Sequence, residues 1–237
     1  MKFTKVLFFL CCLMIYNKLC TAGVDTLTVV PFQVIGDIKN SDIYGYGLPD
    51  AIANDLAQIP GITVVERLRL SSVLQEIKLS QAGLTNENIA AKVGNMLGAK
   101  TIIVGTVQKM GKLVRVHARL VNVVSGKIVF SIKVEKEIKA FKDVFSLENL
   151  VTKKIVLQLG LQLTSEQLEK IGKEPTLSED AFEFYSTGFR LFDSGDQKNG
   201  LVFFNKAAEI DKNFDWAQKI RIRAQQAFEE LEREIEH

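Results

Sequence analysis

Apolar and polar positions alternate most regularly between Lys100 and Lys136, where three segments rich in Val and Ile are separated by short joints that contain Gly. The pattern predicts an antiparallel meander of strands over Thr101–Gln108, Leu113–Val123 and Lys127–Lys136. Lys109-Met110-Gly111 and Val124-Ser125-Gly126 read as three-residue turns closed by a left-handed glycine, which pairs residue 108 with 112 and residue 123 with 127. That register sets Ile102, Val104, Thr106, Val114, Val116, Ala118, Leu120, Phe130, Ile132 and Val134 on one face, the expected core face. Two-residue turns would set Leu120 beside Ser131 and Ala118 beside Lys133, and a one-residue slip inverts every side chain. The opposite face carries Arg115, His117, Arg119, Lys133 and Glu135, with Arg115 across from Glu135.

Upstream, Thr26 to Ile35 reads as a buried strand interrupted by Pro31, which points to an edge position or a bulge. Residues 36–47 read as a loop. A helix then presents Leu48, Ile52, Leu56 and Ile59 on one face, with Pro49 in its first turn and Pro60-Gly61 at its end. Ile62 to Val65 is a short strand. A second helix follows to about Ser80, with Leu70, Val73, Leu74 and Ile77 on one side. Thr85 or Asn86 is placed to cap a third helix carrying Ile89, Val93 and Leu97, with Gly98 as its stop. After the meander, Leu147, Val151, Ile155 and Leu159 mark a fourth helix. The expected class is α/β: a mixed sheet covered by helices, an α/β sandwich.

The chain opens on a targeting pattern. Lys2 and Lys5 precede an apolar run from Val6 to Tyr16, and Cys20-Thr21-Ala22 predicts cleavage before Gly23. The run is too short to span a bilayer, which takes about 20 residues. Asn17-Lys18-Leu19 does not suit an acylation site at Cys20. Because Cys11, Cys12 and Cys20 all lie in this leader, the mature chain has no thiol for disulfides, catalysis or metal. Removing Lys2, Lys5 and Lys18 with the leader turns the formal charge from +2 to −1, which argues against nucleic acid as a partner.

The final stretch is helical. Ala181, Phe184, Gly188, Leu191, Phe204 and Ala207 fall at the offsets of a tetratricopeptide-type repeat turned by Asp193-Ser194-Gly195-Asp196. Gly200 stands where that repeat prefers Ala, and Lys212 where it prefers Pro. A last helix from about Phe214 to Glu234 carries Trp216, Ile220, Ala224, Ala227, Leu231 and Ile235. The expected organisation is a signal peptide over 1–22, an α/β domain over 23–163, a polar linker over 164–177 and a small all-α tetratricopeptide-like module over 178–237.

Several motifs together resemble one family. Ile62-Thr63-Val64-Val65-Glu66-Arg67, Leu74-Gln75-Glu76, Leu79-Ser80-Gln81-Ala82-Gly83, Val93-Gly94, Leu97-Gly98-Ala99, Val104-Gly105-Thr106 and Ala118-Arg119-Leu120-Val121 through Ser125-Gly126-Lys127-Ile128 resemble the soluble domain of CsgG-type curli secretion proteins. Their periplasmic relatives include flagellar outer-membrane accessory proteins and TolB-like N-terminal domains. The resemblance covers about Thr26 to Lys136 and implies an exported, periplasmic protein of the cell envelope. The family's pore is acylated at an N-terminal Cys and inserts long hairpins into a membrane, whose strands take about 9 to 11 residues each. This sequence shows neither feature.

Candidate chemistry is sparse. Gly94 to Thr101 fails as a phosphate loop on spacing and on its helix-to-strand context. Glu66-Arg67 at a strand end reads as an ion pair or cap, since no nucleophile or second carboxylate accompanies it. His117 has no neighbouring His or Cys for a metal site. No catalytic residue, metal or cofactor is expected. The expected partner-binding residues are Arg115, His117 and Arg119 on the sheet, and Tyr185, Phe189 and Phe192 on an aromatic helix whose exposed remainder would form a groove. These readings together imply a non-enzymatic protein that assists envelope assembly or secretion through protein contacts, as a homo-oligomer or with envelope proteins. The alternative is a small-molecule or glycan binding module that uses the basic sheet face.

Overall fold

The computed structural model describes residues 24–77 and 87–235. The leader over 1–22 and the caps at Thr85 and Asn86 lie outside the described residues. Six strands form one open sheet: β1 (Val24–Val29), β2 (Gln33–Ile35), β3 (Ile62–Val64), β4 (Thr101–Met110), β5 (Leu113–Asn122) and β6 (Ile128–Glu137). Their order is β3-β1-β4-β5-β6, with β2 also paired to β4. β1 runs parallel to β3 and β4, and the β4-β5-β6 meander is antiparallel, so the sheet is mixed.

Pro31 splits the first expected strand in two, and both halves pair with β4. β1 lies between β3 and β4, whereas β2 pairs with β4 alone among the described residues, so the proline breaks the run between a flanked segment and an edge one. The second turn of the meander holds its expected register, from Leu113 opposite Glu137 to Leu120 opposite Phe130, before a bulge at Val121. The first turn differs. Met110 pairs with Leu113 around a two-residue turn whose first position, Gly111, has φ +62°. Ile102, Val104 and Thr106 therefore share a face with Val121, Arg119 and His117, while Ile103, Gly105 and Val107 join Leu120, Ala118 and Val116.

Both faces of β4 are covered, which explains its unbroken apolar run. On one side Ile102, Val104, Val121 and Val123 pack under α2 (Arg67–Ile77) and α3 (Glu87–Leu97) through Leu70, Val73, Val93 and Leu97. On the other, Ile103, Val107, Val116 and Ala118 meet α1 (Leu48–Ala57) and α4 (Lys142–Gln158). A π-helical turn, Ile43–Gly47, leads directly into α1 where the sequence reads as loop. Gly47 is forced by contact: a Cβ there would sit 2.2 Å from Ser186 Oγ and 2.8 Å from the Phe182 ring.

Between residues 164 and 177 the expected linker contains α5 (Ser165–Lys170), opened by a Thr164/Gln167 capping box. Three helices follow: α6 (Glu179–Ser194), α7 (Gln197–Ile210) and α8 (Asp215–Ile235). Ser178 and Asp196 cap the first two, and Gly195 at φ +92° turns between them. Phe182, Phe189, Phe204 and Phe214 are fully buried, each contributing about 1.5–3 kcal/mol of burial. They belong to the same continuous core as the sheet, α1 and α4. Phe182 bridges the parts directly, 5.0 Å from the Phe145 ring of α4 and 6.2 Å from that of Phe214.

Candidate functional site

Two surfaces carry chemistry: the uncovered end of the sheet and the seam where α6 and α8 meet α1 and α2. On the sheet, α2 and α3 stop over Val121, and β5 continues with Arg119, His117 and Arg115 toward its other end. His117 is exposed and the two arginines half-buried. Arg115 donates to Glu135 at 2.5 Å, Lys133 lies 3.1 Å from the same carboxylate, and these hydrogen bonds hold Glu135 below its ordinary pKa. Between His117, Arg119, Thr106 and Ser131 lies a shallow hollow of about 290 Å³. The basic stripe thus survives as a surface, with Arg115 tied to its cross-strand neighbour as its pairing predicts.

Tyr185, Phe189 and Phe192 sit in the core of the helical module, and Tyr185 and Phe189 also contribute to the lining of the seam cleft described below. All three are buried: Tyr185 lies edge-on to Phe189 with centroids 5.0 Å apart, and Phe189 and Phe192 close on Phe204 at 5.0 and 5.4 Å. Their helical spacing marks a core stripe, because α7, α8 and the α/β body surround α6. Half-buried Phe184 and Phe203 form a separate ring pair, with the Lys206 ammonium over both.

At the seam, neighbouring residues Glu66 and Arg67 both reach the C-terminal helices. Arg67, the first residue of α2, forms a two-pronged bridge to Asp193 of α6, with Nη1 to Oδ1 at 3.0 Å and Nη2 to Oδ2 at 2.7 Å. Ser71 donates to the same carboxylate at 2.6 Å, and the guanidinium lies 4.5 Å over the Phe189 ring. Asp193 is fully buried and the Arg67 side chain 11% exposed, so this is a desolvated pair. Glu66 pairs with Arg223 of α8 at 2.9 Å. Glu66 and Arg67 are both in ion pairs, as a charged pair at this strand end suggests, but with C-terminal helices rather than with each other.

Beside the bridge opens a cleft of about 590 Å³, at the carboxyl end of β3, where parallel strands commonly place binding sites. Its floor holds Asp50, which accepts the Tyr185 hydroxyl at 2.6 Å and the Asn54 amide at 3.0 Å. Burial pushes the Asp50 carboxyl up to about 6, against the opposing pull of Arg67 and of these hydrogen bonds. Trp216 and Ile220 form the α8 wall.

A second acidic pair lies between α1 and α4. Burial and the nearby Asp55 charge push Glu148 well above its usual range, while Thr152 donates to it at 2.6 Å. Asp55 is itself raised by burial to about 6 and accepts the backbone N–H of Gly172. The local sequence gives no sign of burial for Asp50, Asp55 and Glu148, and Asp193, expected in a turn, is instead a buried residue of α6 whose partner lies 126 residues away.

Residues 23–115 match the family model described as curli production assembly/transport component CsgG. Among curated proteins, the chain is 21% identical over 158 residues to the Rhizobium meliloti (strain 1021) protein named "Putative adenylate cyclase 3", covering 67% of this chain and 25% of that one. It thus spans a quarter of that relative's length. Among solved structures it is similar to the LpoB C-terminal domain from Salmonella enterica, with 22% identity, 53% of this chain and 91% of that one covered, and a TM-score of 0.40. It is also similar to TolB from Acinetobacter baumannii, at 15% identity, 57% and 28% coverage and a TM-score of 0.40. The PelC dodecamer from Paraburkholderia phytofirmans gives 17% identity, 60% and 92% coverage and a TM-score of 0.38. The family match ends as β5 begins, so residues 23–115 are a CsgG-like domain whose sheet is completed by the strands that follow it.

Proposed function

We propose that this chain is a non-enzymatic accessory protein of the cell envelope, exported to the periplasm, that assists assembly or secretion by binding other envelope proteins or further copies of itself. The observation that carries this reading is the CsgG-like domain over residues 23–115, joined to an exposed basic stripe on its sheet. Arg115, His117 and Arg119 are assigned the role of partner contact, because a mainly basic patch steers an acidic partner. The leader over 1–22 supports export, and no helix among the described residues is long and apolar enough to cross a membrane. We assign residues 23–163 to the sandwich and 178–237 to the helical module, with 164–177 strapping them together through Ile171 and Gly172.

The test is in-cell crosslinking of the tagged chain, with mass spectrometry of what is recovered from periplasmic and membrane fractions. The expected result is recovery of envelope or secretion proteins or of the chain itself, reduced several-fold by Arg115→Ala together with Arg119→Ala, about the effect of losing rim charges. Recovery of a lone monomer would contradict the proposal. If that monomer were stabilised by a small anion and lost the effect in the same variant, the hollow beside His117 and Arg119 would be a ligand site instead.

A further inference from the structure

The seam cleft contains a charge that the fold leaves without a cation bonded to it. Two carboxylates, Asp50 and Asp193, are buried there against a single guanidinium, and both prongs of Arg67 go to Asp193. Asp50 is 4% exposed, yet the two hydrogen bonds that reach its carboxylate, from Tyr185 and Asn54, both end on Oδ2. Among the described residues no hydrogen bond reaches Oδ1, which opens onto the cleft and is available to an incoming donor, a charged one binding it best.

The rim narrows the choice of ligand. Its exposed cations each have an acid beside them, Arg223 with Glu66 at 2.9 Å and Lys219 with Asp215 at 3.5 Å, while Asp50 at the floor has no cation bonded to it. Among the described residues no group of three or more acidic, His or Cys side chains is arranged to hold a metal ion. The walls are apolar and aromatic, formed by Ala53, Ala57, Val64, Trp216 and Ile220. Such walls accept a hydrocarbon stem and, through ring faces, favour a cation over a neutral head.

We propose that this cleft receives a primary ammonium group on an apolar stem, with the ammonium donating to Oδ1 of Asp50 and the stem lying against Trp216 and Ile220. The ligand is either a lysine side chain of a partner polypeptide or a free aliphatic diamine, since both present the same head and stem. The assignment is independent of the basic sheet face, which lies on β5 away from α1 and α8.

Trp216 is the only tryptophan in the chain, so its fluorescence reports on this cleft alone. The full chain without its leader is titrated at pH 7.5 with cadaverine, with Nα-acetyl-lysine amide, and with the uncharged Nα,Nε-diacetyl-lysine amide. The expected result is a saturable Trp216 response to the two ammonium probes, with affinity at least about tenfold lower in Asp50→Asn. A variant melting temperature no lower than that of the parent shows that the fold is kept. Because Asp50 titrates at about 6, its ionised fraction falls about tenfold by pH 5, and affinity falls with it. Tyr185 and Arg67 are both held above their ordinary values, so neither titrates in that range. The probe that binds more tightly identifies the source, polypeptide or diamine. Equal binding of the uncharged probe, unchanged binding in Asp50→Asn, or no saturable response to either ammonium probe would overturn the assignment. None of these results bears on crosslinking at the sheet face.

Discussion

Replacing Arg67 with Ala is expected to lower stability by roughly 3–5 kcal/mol, the usual consequence of removing one partner of a buried ion pair. Asp193 would keep a fully buried carboxylate with only Ser71 as a donor, and Phe189 would lose the guanidinium over its ring. The reverse change is milder. In Asp193→Ala the orphaned Arg67 lines the cleft and is reached by water there, so about 1.5–3 kcal/mol is expected, the range for a lost charged hydrogen bond. Replacing both by apolar residues of similar size, Arg67→Met with Asp193→Leu, should recover most of the loss, because well-packed apolar groups substitute for buried pairs at little net cost. Urea denaturation of the four proteins checks the order. A double variant no better than Arg67→Ala alone would show that the pair itself is indispensable.

Stability should fall as pH rises through about 6. Asp50 and Asp55 are both raised to about 6 and Glu148 well above its ordinary value, so the folded chain holds protons that the unfolded chain releases near pH 4. A carboxyl raised by folding contributes most below its unfolded pKa, and the contribution is lost as pH passes its folded value. For Asp50, fully buried, the shift from 3.8 to about 6 corresponds to about 3 kcal/mol between acidic and neutral solution. Glu135 and Asp143 are lowered and act in the opposite direction, but both are exposed and solvent-screened. Thermal melts should therefore give a higher Tm at pH 5 than at pH 8. Asp50→Asn, whose amide oxygen still accepts from Tyr185, should raise the pH 8 value and flatten the profile. A Tm that climbs from pH 5 to pH 8 would show that these carboxyls are not desolvated as described.

The sequence was legible where one face of an element meets water. β5 and β6 alternate cleanly, and their register follows from Leu120, Ala118 and Val116 facing Phe130, Ile132 and Val134. β4 gave no such signal, because Ile102-Ile103-Val104 is buried on both faces and either parity satisfies an apolar pattern. Residues 36–47 read as loop because glycine is a poor helix former, whereas the π-helical turn exists there because Gly45 and Gly47 admit Phe32, Phe182 and Ser186. The departure at Gly200 has a similar cause. A Cβ there would lie 2.4 Å from the Phe192 ring, and one on Gly188 2.5 Å from Phe204, so both glycines bring α6 and α7 together. Within the site, the basic stripe was readable from strand alternation. The Arg67–Asp193 bridge and the Asp50 floor were not, since local pattern carries no information about a partner more than a hundred residues away.

The central structural claim is that the C-terminal helices and the CsgG-like sheet share one core, with the candidate site at their seam. It is tested most directly by urea unfolding followed with two probes: Trp216 fluorescence for the helices, and hydrogen exchange of the β4 and β5 amides for the sheet. One core predicts coincident transitions with a single midpoint, and Arg67→Ala should shift both together. A Trp216 transition at lower urea, with the sheet amides still protected, would contradict the account and make the helices a separately folding attachment.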